Sequence, residues 1–200
     1  MEGVLEKLMK LKLKDTLRCD AKVYGVFKED TPMTVFVTGP WTETTRSNQP
    51  GWHQSFYWTL DDAAFNLVEV NVDIETGALT GLDIPLYNGN LRDLSESTHT
   101  LVDEAREGIP CFDMAPWAPW IQASTVTKCF TFPGRCQFEL ALGILRVVLV
   151  PDAVRYQVTV NESFACEFNE DDEFCAFVLR NLEHSQVAAI EAYVNRRRRK

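Results

Sequence analysis

The sequence predicts an α+β protein: a mainly antiparallel sheet with an N-terminal and a C-terminal helix. Three observations carry this. Residues 153–160, AVRYQVTV, alternate without fault, with Val154, Tyr156, Val158 and Val160 on one face and Arg155, Gln157 and Thr159 on the other; this is the period-2 signature of a strand with one buried and one wet face. Val187, Ile190 and Val194 recur at helical spacing near the C-terminus. Short β-prone runs punctuated by Gly, Pro, Asn and Asp fill most of the remainder.

Element by element, GVLEKLMKLKLK (3–14) places Val4, Leu8 and Leu11 on one stripe opposite lysines, which predicts a short amphipathic helix. AKVYGVF (21–27) and MTVFVTG (33–39) read as strands around the turn KEDTP, and residues 39–52, with Gly and Pro at both ends, read as a loop. HQSFYWTL (53–60) is aromatic and β-prone. FNLVEVNVD (65–73) and ALTGLDIPL (78–86) form a hairpin in which Gly77 supplies a positive φ. Residues 90–107 allow one helix or a broken one, capped at Ser95 or Ser97. GIPCFDMAPWAPWIQ (108–122) has no period and reads as a linker or an ordered loop.

Strands follow at 136–143, 144–150 and 153–160. Phe164, Cys166 and Phe168 alternate with Ala165, Glu167 and Asn169 until an acidic turn, Glu170 to Glu173, interrupts, after which FCAFVL (174–179) resumes. A last helix is capped at Asn181 or Ser185, with arginines in its final turn where the dipole favours them. The chain is either a single domain over 1–200 or two related β-rich halves, 15–107 and 121–200, joined by the Pro- and Trp-rich segment 108–120. The hairpins VNVDIETGALTGLDI (70–84) and CEFNEDDEFCAFVL (166–179) share one plan, which is what a duplicated unit would leave.

Composition bounds the function. With 46% hydrophobic and 24% charged residues the chain can bury a core. No apolar run reaches the ~20 residues of a membrane-spanning helix. The net charge is −9, the last five residues RRRRK oppose an acidic body, and no Lys or Arg occurs between Arg46 and Arg92. That distribution argues against general nucleic-acid binding, which needs a basic face, and suits a basic protein partner. Six scattered cysteines without a CxxC read as reduced, and three dispersed histidines name no metal set, so no metal and no cofactor is expected. No nucleophile elbow, HExxH or phosphate-binding loop is present, and no catalytic residue is nominated. The default location is cytoplasmic.

Two candidate surfaces remain. The acidic turns offer Asp73 and Glu75 on the first hairpin and Glu170, Asp171, Asp172 and Glu173 on the second as contacts for a basic partner. The second turn fails as a calcium loop, because Phe174 and Cys175 arrive too early and the flanks are strands; it reads as a solvated hairpin tip. The alternative is an aromatic-lined pocket for a small molecule or an enzymatic substrate, built from Trp52, Tyr57, Trp58, Trp117 and Trp120.

The stretch YQVTVNESFACEFNEDDEFCAFVLRNLEHSQVAAIEAYV (156–194), strand, acidic turn, strand, Asn-Leu and closing helix, resembles bacterial immunity-type proteins of polymorphic or contact-dependent toxin systems. It spans roughly the last forty residues, and the hairpin VDIETGALTGLDIPL is similar in style. The resemblance implies a non-enzymatic inhibitor that binds one toxin domain, a basic one where the toxin is a nuclease.

Overall fold

The computed structural model describes residues 10–18, 21–27, 33–38, 55–62, 66–94, 104–123 and 129–197. Strands dominate. β1 (Leu13–Leu17), β2 (Lys22–Val26), β3 (Met33–Thr38), β4 (Ser55–Asp62), β5 (Asn66–Asp73), β6 (Leu79–Leu86), β7 (Leu91–Asp93), β8 (Glu104–Glu107) and β9 (Ile109–Phe112) precede a 3-10 turn at Ala115–Trp117 and a short helix at Ala118–Ala123. β10 (Cys129–Pro133), β11 (Gln137–Ala141), β12 (Ile144–Val148), β13 (Tyr156–Asn161), β14 (Phe164–Phe168), β15 (Phe174–Leu179) and the C-terminal helix His184–Arg197 follow.

Two large sheets and one ribbon result. The six-stranded sheet runs β10-β4-β5-β6-β3-β2 and the seven-stranded sheet runs β7-β11-β12-β15-β14-β13-β8. Their central pairs are antiparallel, while β10–β4, β7–β11 and β8–β13 are parallel. The sheets exchange strands: β7 and β8 lie before the segment 108–120 yet edge the second sheet, and β10 lies after it yet edges the first.

Alternation decides which faces meet. On β5, Val68, Val70 and Val72 are fully buried while Leu67, Glu69 and Asn71 are not. Met33, Val35, Leu82 and Ile84 extend that apolar face, and Phe138, Leu145, Val147, Val158 and Phe177 supply its counterpart on the second sheet. Each such side chain contributes about 1.5–3 kcal/mol when fully buried.

The β1–β9 ribbon joins the sheets. β9 is buried at all four positions, and Phe112 packs its ring 5.5 Å from Phe174 and 6.4 Å from Phe168. On one side Phe112 N–H donates to Gly77 O at 2.7 Å and Cys111 bridges Ala78. Within the ribbon Asp113 N–H donates to Lys12 O, and on the other side Leu13 N–H donates to Asp172 O and Phe174 N–H to Leu11 O, each at 2.8 Å, while Lys12 bridges Glu173. Both acidic hairpins therefore dock on one ribbon, with Ala78 and Glu173 about three strand spacings, ~14 Å, apart.

Several expectations are corrected. The N-terminal helix fails where it is described: Lys12 is in a bridge and Leu13 begins a strand, while residues 3–9 lie outside the described residues. A helix over 90–107 is replaced at its ends by β7 and β8; residues 95–103 lie outside the described residues. Within 108–122, a buried strand, a 3-10 turn and a helix stand where no regular element was expected. The second face of 153–160 is not uniformly wet, since Gln157 is buried and pairs with Arg180. The C-terminal helix is confirmed, but its cap is Glu183, whose N–H donates to Gln186 Oε1 at 2.8 Å in half of a capping box. Its Ile190, Tyr193 and Val194 are buried, and Tyr193 OH accepts from Tyr87 N–H.

Gly77 has φ +75°, and an alanine Cβ there would lie 2.3 Å from Phe112 O. Gly77→Ala should therefore cost at least ~2 kcal/mol, because it combines left-handed strain with a clash against the ribbon. Urea unfolding checks this, and a loss below ~0.5 kcal/mol would contradict the tie as described.

Candidate functional site

The acidic turn is built around Asn169. Its Oδ1 accepts from Asp171 N–H at 3.0 Å and Glu173 N–H at 2.9 Å, and its Nδ2 donates to Glu173 Oε2 at 2.9 Å. Asp172 takes φ +60°, a conformation that Asp tolerates better than most residues. An Asn followed by acids suits such a turn because its side chain substitutes for a backbone acceptor.

The four carboxylates then separate into two kinds. Glu173 is buried; Lys10 Nζ sits 2.5 Å from its Oε2 and Lys12 Nζ 3.6 Å from its Oε1, and Lys10 also reaches Asp152 at 3.3 Å. Burial alone would raise the Glu173 carboxyl, but hydrogen bonds from Lys10 and Asn169 and the charges of both lysines outweigh it and hold it below the usual carboxylate range. Asp172 is half-buried and accepts from Tyr156 OH at 2.6 Å. Glu170 and Asp171 alone are exposed. The solvated-tip expectation thus holds for two acids and is corrected for Glu173, which is internal, and Asp172, which is tethered.

Beside this turn lies an open groove of about 500 Å³ bordered by Glu170, Asp171, Asp172, Glu104, Arg106 and Arg155, with Tyr156 at its wall. The Arg106 guanidinium stands 4.0 Å from the Tyr156 ring centroid, and its Nε lies 3.3 Å from Glu104 Oε1. Burial, and then the bond to Asp172, push the Tyr156 phenol up, so it remains a donor at neutral pH. The groove holds four acids against two arginines and no histidine or cysteine. Such a lining can pair with charged groups of either sign.

On the first hairpin, Asp73 is occupied locally: its carboxylate accepts from the Thr76 N–H at 2.9 Å and the Thr76 hydroxyl at 2.5 Å. Glu75 is exposed. Of the six nominated contact residues, Glu75, Glu170 and Asp171 face solvent.

The aromatic nominees do not converge on a shared opening. Trp58 and Trp117 are 3% and 1% exposed, as core rings. Trp117 packs 4.9 Å from Phe56 and 5.4 Å from Phe130, and Trp58 5.7 Å from Phe132. Trp120 is half-exposed with its edge on Phe130. Tyr57 lies on the other face of β4, beside Asn71 and Cys129 in register, and Trp52 lies outside the described residues.

A second charged group went unnoticed in the sequence. Arg146 on β12 meets Glu139 on β11 at 2.8 Å and reaches across β15 to Glu167 on β14 at 2.7 Å, all three being buried. Charges inside the apolar runs QFELA and ILRVV were the available signal, since alternation puts both on the face away from the core. Among the described residues the five cysteines form no disulfide; Cys166 and Cys175 are buried, and burial raises both thiols, which keeps them protonated. No three His, Cys, Asp or Glu side chains converge as a metal set among the described residues, and no described helix is long and apolar enough to cross a membrane.

Glu173→Gln should destabilise the fold by about 1–3 kcal/mol at neutral pH by leaving Lys10 without its buried partner. Because the folded-state affinity for protons is depressed, this stabilisation is present above the unfolded value of 4.5 and is lost as pH falls below it. Wild type should show that loss in acid titration of the melting temperature and E173Q should not; Asp171→Asn should leave stability within ~0.5 kcal/mol. Equal effects of the two changes would contradict the division of the turn.

Compared with models of known protein families and with curated protein sequences, the chain matches none.

Proposed function

We propose that this chain is a non-enzymatic binding protein that acts in the cytoplasm on a protein partner with a basic surface, and that the exposed tip Glu170 and Asp171, with the adjoining groove, is its contact. The observation that carries this reading is the construction of the turn. Asn169, Tyr156, Lys10 and Lys12 hold it from beneath, while its two outermost carboxylates form no ion pair among the described residues. Pre-set charge of this kind speeds encounter with an oppositely charged surface and lowers the ordering cost of binding. Arg106 and Arg155 across the groove favour a partner whose basic residue is flanked by an acidic one, which adds selectivity.

The resemblance of residues 156–194 to immunity-type proteins supports the specific form of the reading, neutralisation of a cognate basic toxin domain. The docking of both acidic hairpins on one ribbon supports treating them as a paired, duplicated unit, with Glu75 as the outlying contact. The aromatic-pocket reading is not favoured, because Trp58 and Trp117 are committed to the core.

Affinity capture from the native cell tests the proposal. Wild type should retain a basic protein at low salt, and the double reversal E170K/D171K should retain it at least tenfold less, with association slowing as salt shortens the Debye length to ~8 Å. Equal retention by both chains, or a salt-independent association rate, would overturn the contact.

A further inference from the structure

The outward face of the six-stranded sheet carries a row that the acidic turns do not involve. Read across β2, β3, β6, β5, β4 and β10, the residues in register are Tyr24, Phe36, Gly81, Asn71, Tyr57 and Cys129. Tyr24 and Phe36 are 52% and 49% exposed, and these two large rings are direct cross-strand neighbours, ~5 Å apart at Cβ. Gly81 then leaves a gap in the row. An alanine Cβ there would lie 3.0 Å from Val35 O and 3.4 Å from Asn71 Nδ2, so the gap is bounded by the β3 backbone and the Asn71 side chain.

The next row along the strands is polar: Thr34, Asp83, Glu69 and Thr59. Thr34 Oγ1 donates to Asp83 Oδ1 at 2.8 Å. Glu69 stands directly opposite Asp83, and burial together with the Asp83 charge raises the Glu69 carboxyl above its ordinary value. No cation pairs with either acid among the described residues. Elsewhere Lys10, Lys12 and Arg146 neutralise buried acids; here, among the described residues, none does.

We infer that this face is a docking surface for an arginine or lysine side chain of the partner protein, its stem lying on Tyr24 and Phe36 and its charged head between Asp83 and Glu69. Aromatic faces attract such cations, and two facing carboxylates supply the complementary charge. The diagonal from Phe36 to Asp83 is ~8 Å, a span that one extended basic side chain covers. An arginine fits best, because its planar head both stacks and donates to two carboxylates at once. The inference rests on the reading of the chain as a binder of a basic protein, and it places a contact on a surface separate from the Glu170–Asp171 tip.

Two measurements separate this inference from that reading. N-acetyl-arginine methylamide, titrated to millimolar concentration into isotopically labelled chain, should shift the amide signals of Phe36, Glu69 and Asp83 saturably. The neutral citrulline analogue should not shift them, and Asp83→Asn should weaken the effect at least fivefold. Shifts spread equally over Glu170 and Asp171 would mean diffuse counter-ion binding and would overturn the site. So would no shift, or saturable binding of a neutral oligosaccharide in place of the cation. In affinity capture, Phe36→Ala, confirmed folded by its melting curve, should lower retention of the partner. Loss with E170K/D171K but not with F36A leaves the tip and removes this surface; loss with neither removes the parent reading. Dimerisation of the chain abolished by F36A would assign the face to a second copy and equally overturn the inference.

Discussion

One backbone constraint organises the molecule: the β1–β9 ribbon must sit between two hairpins that belong to different sheets. β9 is buried along its whole length, so its peptide groups need partners on both sides. They find β1 on one side and the Gly77–Ala78 turn on the other. The Gly77 position has no room for a side chain because the Phe112 carbonyl occupies that space. The same ribbon, through Leu11, Lys12 and Leu13, supplies the hydrogen bonds that fix Asp172 and Phe174. Placement of the acidic turn is thus a consequence of how the core is closed.

Electrostatics follows from that geometry. A chain of net charge −9 has more acids than it can pair, and its structure sorts them. Glu173 takes two lysines because the ribbon carries them past it. Glu139 and Glu167 share Arg146, whose removal would strand two buried charges although the triad itself adds little net stability over an apolar packing. Among the described residues Glu170, Asp171, Glu69 and Asp83 receive no cation, and those are the positions proposed for the partner. The two assigned surfaces differ in kind. On the proposed reading the tip would steer a charged encounter, while the sheet face would add aromatic area that holds once contact is made.

The strands were largely legible because burial on one face imprints period 2: FNLVEVNVD and CQFELALG appear at β5 and β11 within a residue or two. The N-terminal segment was misread for an instructive reason. KLKLK at 10–14 is a strict alternation, with Leu11 and Leu13 buried, yet it extends an upstream stripe through Val4 and Leu8 that has helical spacing. Periodicity cannot arbitrate where two periods overlap; tertiary pairing with β9 did. The acidic turn was recognised as a turn, but its division into internal and external carboxylates was not visible, because Lys10 and Lys12 lie more than 160 residues away in sequence. The parallel edge strands were hidden for the same reason, since β7, β8 and β10 are short and acquire partners only through long-range crossings. Trp58 and Trp117, grouped by chemistry as pocket candidates, are core rings, as aromatic residues alone do not tell a pocket from a core.

Native-state hydrogen exchange tests the central claim, that the ribbon locks the acidic turn to the core, most directly. The amides of Phe112, Leu13 and Phe174 tie ribbon to hairpins, and that of Asp113 closes the ribbon itself. They should exchange only through global unfolding, as slowly as Val70 and Phe177 in the sheet centres. Exchange of these four through a local opening, while the sheet centres stay protected, would contradict the account, because the turn would then be a loose tip and its carboxylates would not be preset for a partner.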